Sequence, residues 1–435
     1  MNNRMIVAIA LISTLFMVNA IPAFAQTMPV ERKEDVPSID NRIVSERIIS
    51  PIGEKVYDTE DGMFTIHYDS NNVNEDYAKF VAHAFSKARE FQTSLGFNNI
   101  TLPLNIDGSE SKVAIYVKDL VYEDRTSDAV IGNERLQYFL VSDNLDKKQV
   151  YLAAANEYFN ALQTSYNTLG YEASVDKAWI NDGIAKFITL YTAMNDPEYK
   201  QYDEEYAQYG YLNNVMVEGK KTYGYAAYQV PTVTSDSPLN NGVSKLGALS
   251  VSYWYYLHSI YGMQVIEDVI SKSGSFNDDS VRTVSSVLTT YNTTFADTVT
   301  GWYKSLGFWN KEKIGDFSVY EGLMLVNDEM FEEHKTNELP LKIENSISRY
   351  GASFVNLKFN SNIPMAKIRF LNSGDALQVH AYIYNAMIDK YYQESFTVER
   401  GHHEFTIWGA NAEINFIVIG SEGTVNGGFT ISGGL

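Results

Sequence analysis

The stretch of residues 153–187 reads AAANEYFNALQTSYNTLGYEASVDKAWINDGIAKF, and it contains two helical segments that decide the interpretation of the chain. The first segment places Asn156 and Asn160 four residues apart, with Glu157 beside the first asparagine. Because residues four apart lie on the same face of a helix, both amides share one face. The second segment places Asp182 inside the string WINDGIA. Together the segments predict a polar site built from two consecutive helices.

These segments resemble the paired motifs of the gluzincin (peptidase MA-like) metallopeptidases, HExxH on one helix and WxNEGxA on the next. In the degenerate motif NEYFN, Asn156 and Asn160 stand at the positions of the zinc-binding histidines, and Asp182 stands at the position of the third ligand. Only Glu157, at the position of the general base, keeps its family identity. The resemblance implies a small sheet followed by a mainly helical subdomain, with an extended peptide bound along the edge strand of the sheet.

The substitutions alter the chemistry that the family performs. Catalytic zinc sites use three imidazole, thiolate or carboxylate ligands plus water, whereas an asparagine offers only a neutral amide oxygen. Amide oxygens suit harder cations such as calcium or magnesium. We therefore expect no zinc and no cofactor at Asn156, Asn160 and Asp182, and we expect Glu157 to be a vestigial general base. Two interpretations of the cluster stay open: a weak site for a hard cation, or polar side chains that hydrogen-bond the amides and join the two helices.

Other metal ligands are scarce in the sequence. The chain has seven histidines, and none of them lies between residues 92 and 256, the region that contains both motif helices. We interpret His83 as a packed or surface residue of a helix, and His402 and His403 as part of a turn. Because the chain has no cysteine, thiolate zinc sites, disulfides and a thiol nucleophile are excluded.

The N-terminus has the pattern of a secretory signal peptide over residues 1–25. Arg4 precedes an apolar run over residues 5–18, and Ala-Phe-Ala at 23–25 forms a cleavage site of the AxA type. Residues 26–62 are charged and contain prolines, and they predict a linker with at most one short strand. No later run is apolar enough to span a bilayer. We expect a secreted, extracellular protein, with noncovalent association with the cell wall as an option.

Hydrophobic periodicity predicts an α+β protein with two folded domains. A gluzincin-like domain is expected over residues 63–326, with strands at 63–68, 113–117 and 136–141, helices at 74–95, 252–270 and 284–306, and a tyrosine-rich segment at 197–262. Residues 341–435 instead contain short alternating runs separated by turns at a spacing near ten residues. This pattern predicts a C-terminal β-sandwich.

Composition narrows the classes of partner. The formal net charge is −20, and removal of Arg4 with the signal peptide would make the mature chain more acidic by one unit. Such a charge argues against binding to nucleic acid or to anionic membrane surfaces. The expected partner is an extracellular peptide or polysaccharide.

The leading hypothesis is a secreted pseudopeptidase, an inactive metallopeptidase homologue that binds extracellular peptide or glycan. A second hypothesis is an active metallohydrolase that uses oxygen ligands from Glu157, Asp182 and the two asparagines. A third is a structural or adhesive cell-surface protein in which the peptidase-like fold is a scaffold. Metal content and the effect of deleting residues 341–435 distinguish the three.

Overall fold

The computed structural model describes the chain from residue 54 onward, with gaps. The described ranges are 54–100, 112–119, 125–131, 134–166, 178–199, 250–273, 280–308, 332–336, 341–347, 350–359, 365–385, 390–408, 412–421 and 427–434. The predicted signal peptide, most of the predicted linker and most of the tyrosine-rich segment lie outside them. No helix in the described ranges is long and apolar enough to cross a membrane.

The chain divides into two compact units. One unit comprises Met1–Ala173 and Asn181–Ala207, and the other comprises Ser174–Ile180 and Gln208–Leu435. The described fold therefore combines helices and sheets in both units, with a sheet-rich C-terminal region, which confirms the predicted α+β class at this coarse level.

The first unit contains one mixed five-stranded sheet and the motif helices. Its elements are β1 (Glu54–Asp58), β2 (Phe64–Asp69), α1 (Glu75–Ser94), β3 (Val113–Lys118), β4 (Arg125–Ile131), β5 (Glu134–Ser142), α2 (Lys147–Tyr166) and most of α3 (Ala178–Asn195). The strand order is β1-β2-β3-β5-β4. The three central strands β2, β3 and β5 run parallel, and both edge strands are antiparallel to their neighbours.

One face of this sheet packs against α1 and α2 through aromatic side chains. Phe64 on β2 lies 5.9 Å from the ring of Phe85 on α1 and 6.2 Å from the ring of Tyr158 on α2, in edge-to-face geometry. Strands β2 and β3 alternate strictly between buried and partly exposed residues, because successive side chains point to opposite faces of the sheet. Helix α2 is thereby held on the sheet next to β4 and β5.

The described part of the second unit includes four helices that follow α3 and precede the sheet-rich region. Their bounds are α4 (Val251–Tyr261), α5 (Met263–Ser273), α6 (Ser280–Leu288) and α7 (Phe295–Phe308), with a 3-10 turn at Thr289–Tyr291. The helix predicted over 252–270 is divided because Gly262 adopts a positive φ of 78° between α4 and α5. The helix predicted over 284–306 is likewise divided at Asn292, whose φ is 57°.

Two antiparallel-rich sheets form the C-terminal region. The strands are β6 (Glu332–Thr336), β7 (Leu341–Ile347), β8 (Ala352–Phe359), β9 (Met365–Asn372), β10 (Leu377–Asn385), β11 (Lys390–Val398), β12 (Gly401–Trp408), β13 (Glu413–Gly420) and β14 (Gly427–Gly434). Their orders are β11-β10-β13-β8-β6 and β12-β9-β14-β7. Apolar residues from both sheets share one buried cluster, for example Phe416 and Phe370. This is the arrangement of a β-sandwich.

Helix α7 covers the other face of the first of these sheets. Tyr303 donates a hydrogen bond to the carbonyl of Tyr350 at 2.9 Å, and its ring lies 6.0 Å from that of Phe354 on β8. Thr300 on the same helix donates to the side chain of Gln378 on β10 at 3.0 Å. The sheet therefore has buried residues on both faces, and β13 has the pattern of a fully buried strand.

Several sequence predictions need correction. His402 and His403 do not lie in a turn, because they are paired with Leu371 and Phe370 in the β12–β9 ladder. The one short strand allowed for in the predicted linker is β1, which pairs with β2 and so belongs to the first sheet. Strands β4, β6, β7 and β14 were not predicted at all. The aromatic helix at 74–95 was predicted correctly, and the structure places it at Glu75–Ser94 with the Asn74 side chain accepting from the Tyr77 amide at 2.7 Å.

Candidate functional site

Helix α2 carries the first half of the candidate site, and its start is set by a reciprocal cap. The Gln149 amide donates to the Asp146 carboxylate at 2.8 Å, and the Asp146 amide donates to the Gln149 side chain at 3.0 Å. Such a capping box satisfies two of the backbone donors that every helix start leaves free. Further along, Gln92 on α1 donates to the carbonyl of Ala155 at 2.8 Å. This contact fixes α2 at the residue directly before Asn156.

Asn156 and Glu157 interact with each other on α2. The Asn156 amide nitrogen donates to a Glu157 carboxylate oxygen at 3.0 Å. Glu157 is only 7% exposed, whereas Asn156 and Asn160 are partly buried. The next residue, Tyr158, is fully buried under the sheet, and burial raises the pKa of its hydroxyl to about 12. The polar side chains of α2 therefore lie at the boundary between its buried face and a more open side.

Helix α3 runs antiparallel to α2 and brings the second half-motif beside the first. Gln163 of α2 donates to the carbonyl oxygen of Asn181 at 3.0 Å. At the other end, the hydroxyl oxygen of Thr189 lies 3.4 Å from the side-chain oxygen of Asn156. The single proton of that hydroxyl is shared with the Ala185 carbonyl at 2.8 Å. Because these contacts pair decreasing numbers on α2 with increasing numbers on α3, the two helices run antiparallel, and Asn160 lies between the two contacts along α2.

Asp182 directly follows Asn181 on α3, and it is partly buried. Burial raises the pKa of its carboxyl to about 7. No hydrogen bond or ion pair within the described part of the chain involves this carboxyl group. Glu157 bonds an amide, as expected, but that amide belongs to its own helix, so this contact does not join the two helices. Gln163 and Thr189 make the contacts between the helices.

Lys186 is a residue to which the sequence analysis assigned no role. It lies four residues after Asp182, so the two side chains occupy the same face of α3. Its surface is partly accessible, and burial of its ammonium group lowers its pKa to about 8. The only indication in the sequence that Lys186 belongs near the candidate site is its position directly after the WINDGIA string. Its burial depends on packing that this string does not encode.

The donor set does not fit the zinc ion that the resemblance implies. Amide groups stand where imidazoles are needed, and the Asn156 amide nitrogen already donates to Glu157. Among the residues that the structure describes, no three His, Asp or Glu side chains are grouped so as to hold a metal ion. The site can instead offer hydrogen-bond donors, acceptors and two ionisable groups of shifted pKa.

Trp179, the first residue of the second half-motif, anchors the start of α3 within the second unit. Its ring stacks on Trp254 with centroids 5.1 Å apart, and its indole nitrogen donates to Ser280 at 2.9 Å. Its carbonyl oxygen accepts from Ser250 at 2.6 Å and from the Trp254 indole at 3.0 Å. All of these groups are buried, so the tryptophan has a structural role.

The histidines in the first unit form separate contacts. His83 lies 2.5 Å from a carboxylate oxygen of Glu198, which also accepts from Tyr151 at 2.6 Å. His67 lies 2.6 Å from Glu54 and stacks on Tyr116 at 4.8 Å. The prediction that His83 is a packed or surface residue agrees with its partly exposed contact with Glu198. Neither histidine is among the residues that contact Asn156 or Asp182.

Comparisons with known proteins leave the family undetermined. No protein-family model matches the sequence, and a search of curated proteins found no match. Among solved structures, the chain is similar to the pre-peptidase C-terminal domain of a collagenase from Bacillus anthracis, with 12% identity, a TM-score of 0.18, and coverage of 24% of this chain and 94% of that one.

Two further matches have the same low similarity. One is PliG of Aeromonas hydrophila, a periplasmic inhibitor of g-type lysozyme, with 8% identity, a TM-score of 0.17, and coverage of 24% of this chain and 97% of that one. The other is CorA of Methylomicrobium album BG8, a surface-associated copper-binding protein, with 6% identity, a TM-score of 0.18, and coverage of 24% of this chain and 98% of that one. At these scores the similarities support no functional argument. The gluzincin resemblance remains a prediction from the two motifs.

Proposed function

We propose that this protein is a secreted pseudopeptidase, a gluzincin-like chain without catalytic zinc that binds an extracellular peptide or glycan. The observation that carries the proposal is the engagement of Asn156. Its amide, at the position of the first zinc ligand, bonds to Glu157 and contacts Thr189. These contacts support a role for the side chain in the protein's own hydrogen bonding.

The arrangement of the first unit supports the gluzincin part of the proposal. The two half-motifs lie on antiparallel helices connected through Gln163 and Asn181. Strand β4 is an edge strand, runs antiparallel to β5, and lies next to α2. An extended peptide can add to such an edge through backbone hydrogen bonds. A peptide is for this reason the ligand that the described backbone favours over a glycan.

Reversion of the three substituted positions tests the proposal directly. The triple variant Asn156→His, Asn160→His, Asp182→Glu restores the full donor set, and we expect it to bind one zinc ion per chain. The unaltered mature protein should retain no stoichiometric zinc after dialysis. A second variant that also carries Glu157→Gln is the matched control, because it should bind zinc without hydrolysing peptides.

Each result discriminates between hypotheses. Stoichiometric zinc in the unaltered protein, or proteolysis abolished by Glu157→Gln alone, would replace the pseudopeptidase with an active hydrolase. Failure of the folded triple variant to bind zinc would contradict the gluzincin-like geometry. Binding to cell wall that survives loss of the motif helices but requires residues 341–435 would favour the structural or adhesive function.

A further inference from the structure

The outer face of the first sheet, opposite the face that packs on α1 and α2, carries a row of apolar and aromatic side chains. Directly paired residues on four neighbouring strands form this outer row: Val56 on β1, His67 on β2, Tyr116 on β3 and Leu140 on β5. The ring of His67 stacks on that of Tyr116 with centroids 4.8 Å apart. Because neighbouring strands are about 4.8 Å apart, the outer row is roughly 15 Å long.

The β1 end of the outer row is open to solvent. Val56 is 57% exposed, which is the largest exposure of any large hydrophobic residue in the described part of the chain. Tyr116 in the middle of the row is only partly buried. The central strands β2, β3 and β5 run parallel, and parallel strands are normally covered on both faces of their sheet. The outer face therefore has the character of a surface that a further segment covers.

Two carboxylates border the outer row on β1 and β2. Glu54 and Asp69 are directly opposite each other in the β1–β2 ladder, and like charges at such positions are destabilising. Glu54 contacts His67 at 2.6 Å, and Asp69 accepts from the side-chain amides of Asn71 and Asn72. Within the described ranges, neither carboxylate forms an ion pair with a lysine or an arginine. This end of the face is therefore complementary to an arginine, whose paired N–H donors suit carboxylates.

We propose that residues 42–52 of this same chain pack along the outer face of the first sheet and cover the outer row. This segment lies outside the described ranges, has the sequence RIVSERIISPI, and leads through Gly53 into β1. Its β-branched aliphatic residues suit a layer on a sheet, and they are Ile43, Val44, Ile48, Ile49 and Ile52. In the proposed position they cover Val56 and the exposed part of Tyr116.

The length of the segment and the place where it joins the sheet fit this position. An extended chain advances about 3.3 Å per residue, so about five residues are enough to span the outer row. Gly53 directly precedes β1, so the segment joins the sheet at the exposed end of the row. Pro51 and Gly53 are residue types that favour the turn needed to bring the segment back onto the face.

The charges of the segment also fit the border of the outer row. Arg42 and Arg47 are its two basic residues. In the proposed position Arg47 lies at Glu54 and Asp69, where it relieves the repulsion between the two carboxylates.

This packing is independent of the proposed pseudopeptidase function. It uses the face of the sheet that points away from α2, and it involves neither Asn156 nor Asp182. Failure of the zinc measurements therefore leaves this proposal standing, and failure of the measurements below leaves the pseudopeptidase proposal standing.

Disulfide trapping in the full mature protein tests the proposal, because the chain has no cysteine of its own. Ile48→Cys is combined with Ala114→Cys, which lies on the outer face of β3 beside Thr65 and Tyr138. The matched control combines Ile48→Cys with Glu90→Cys, an exposed position on α1. Under mild oxidation the first pair should close within one chain roughly tenfold faster than the second, because docking raises the effective concentration of its thiols.

Two results of this experiment would overturn the proposal. Equal closure rates for the two pairs would show that the segment has no preference for the outer face. Disulfide-linked dimers of the single variant Ala114→Cys would assign the face to a second copy of the chain instead.

A second measurement reads the outer face without cysteines. Ile48→Ser combined with Ile49→Ser removes apolar contacts from the segment, so iodination of Tyr116, located by mass spectrometry, should become several-fold faster. Hydrogen exchange of the β1 amides should also become faster. The matched control, Val30→Ser combined with Val36→Ser, lies outside residues 42–52 and should leave both rates unchanged. Equal rates at Tyr116 in the unaltered protein and the isoleucine variant would contradict the proposal.

Discussion

The Gln163 side chain donates a hydrogen bond to the main-chain carbonyl of Asn181 at 3.0 Å, and this contact joins the two motif helices at the end where the second begins. We expect Gln163→Met, which keeps the size of the side chain but removes the donor, to destabilise the first unit by about 1 kcal/mol. Urea denaturation and amide hydrogen exchange in α3 measure the effect.

The variant Gln163→Glu is the control for this contact. Its carboxylate has no N–H donor and places negative charge against the Asn181 carbonyl, so its loss of stability should exceed that of Gln163→Met at neutral pH. Equal stability of all three proteins would show that the contact does not hold α3.

Gly301 on α7 lies where any side chain would collide with Tyr256. A Cβ atom at this position would be 2.0 Å from the tyrosine hydroxyl oxygen and 2.9 Å from the adjacent ring carbon. Since Tyr256 is 7% exposed, its ring has little room to move. We expect Gly301→Ala to cost about 1–3 kcal/mol of stability in the second unit, as overpacking of a core does.

A double-mutant cycle with Tyr256→Phe tests the cause of that cost. The phenylalanine lacks the hydroxyl that is nearest to the new methyl group, so Gly301→Ala should be less destabilising in this background. The coupling between the two substitutions is read from thermal or urea unfolding. An additive pair would assign the cost to the helix backbone instead.

His380 predicts a loss of stability of the second unit in acid. Burial, together with the nearby Lys304, lowers the pKa of His380 to about 4. The Nδ1 atom of its ring lies 2.8 Å from the Ser395 hydroxyl oxygen. The folded state keeps this imidazole neutral, whereas the unfolded chain protonates it near pH 6.5. Its contribution is therefore fully present above about pH 6.5 and is lost as pH falls towards 4.

The variant His380→Gln removes this titration. Its free energy of unfolding should change less than that of the unaltered protein between pH 7.5 and pH 4.5, as measured by urea denaturation at a series of pH values. Parallel pH profiles for the two proteins would contradict the prediction.

Asp182 predicts the opposite pH dependence in the first unit. Its pKa is raised to about 7 by burial, so the folded state favours the protonated carboxyl. The stability linked to this group is present below the unfolded pKa of about 3.9 and is lost as pH rises towards 7. Asp182→Asn, which resembles the neutral carboxyl, should be more stable than the unaltered protein at pH 8.

The comparison at low pH completes this test. Near pH 4 the two proteins should differ little in free energy of unfolding, because the aspartic acid is then protonated in the folded state and about half protonated in the unfolded chain. A stability difference that is constant from pH 4 to pH 8 would show that the substitution acts through something other than this titration.

Local signals in the sequence were sufficient to predict an element that has a capping residue at its start and a clear hydrophobic periodicity. Asn74 followed by a repeated apolar face predicted α1, and the structure shows the cap contact with Tyr77. Strand β4, with the sequence RTSDAVI, was missed because it shows no clear alternation, and its pairing with β5 supplies what the sequence lacks. Strand β14, which is rich in glycine, was missed because glycine predicts turns.

The sequence predicted the helices that carry the candidate residues but not the electrostatics around them. The motif pattern located Asn156 and Asp182, and both lie on the helices that were expected to carry them. Lys186 was missed because the shift in its pKa arises from desolvation by neighbouring elements. Which donors bond which acceptors also depends on the alignment of α2 with α3, which two separate sequence segments do not reveal.

The position of β14 determines the order in which the sandwich can assemble. It is the last described strand in the chain, yet it lies inside its sheet between β9 and β7. Strand β7, which pairs only with β14 among the described strands, has no neighbour in its sheet until the ribosome has made almost all of this region. Contacts so distant in sequence slow folding. The sheet β12-β9-β14-β7 can therefore be completed only after residues 427–434 have been synthesised.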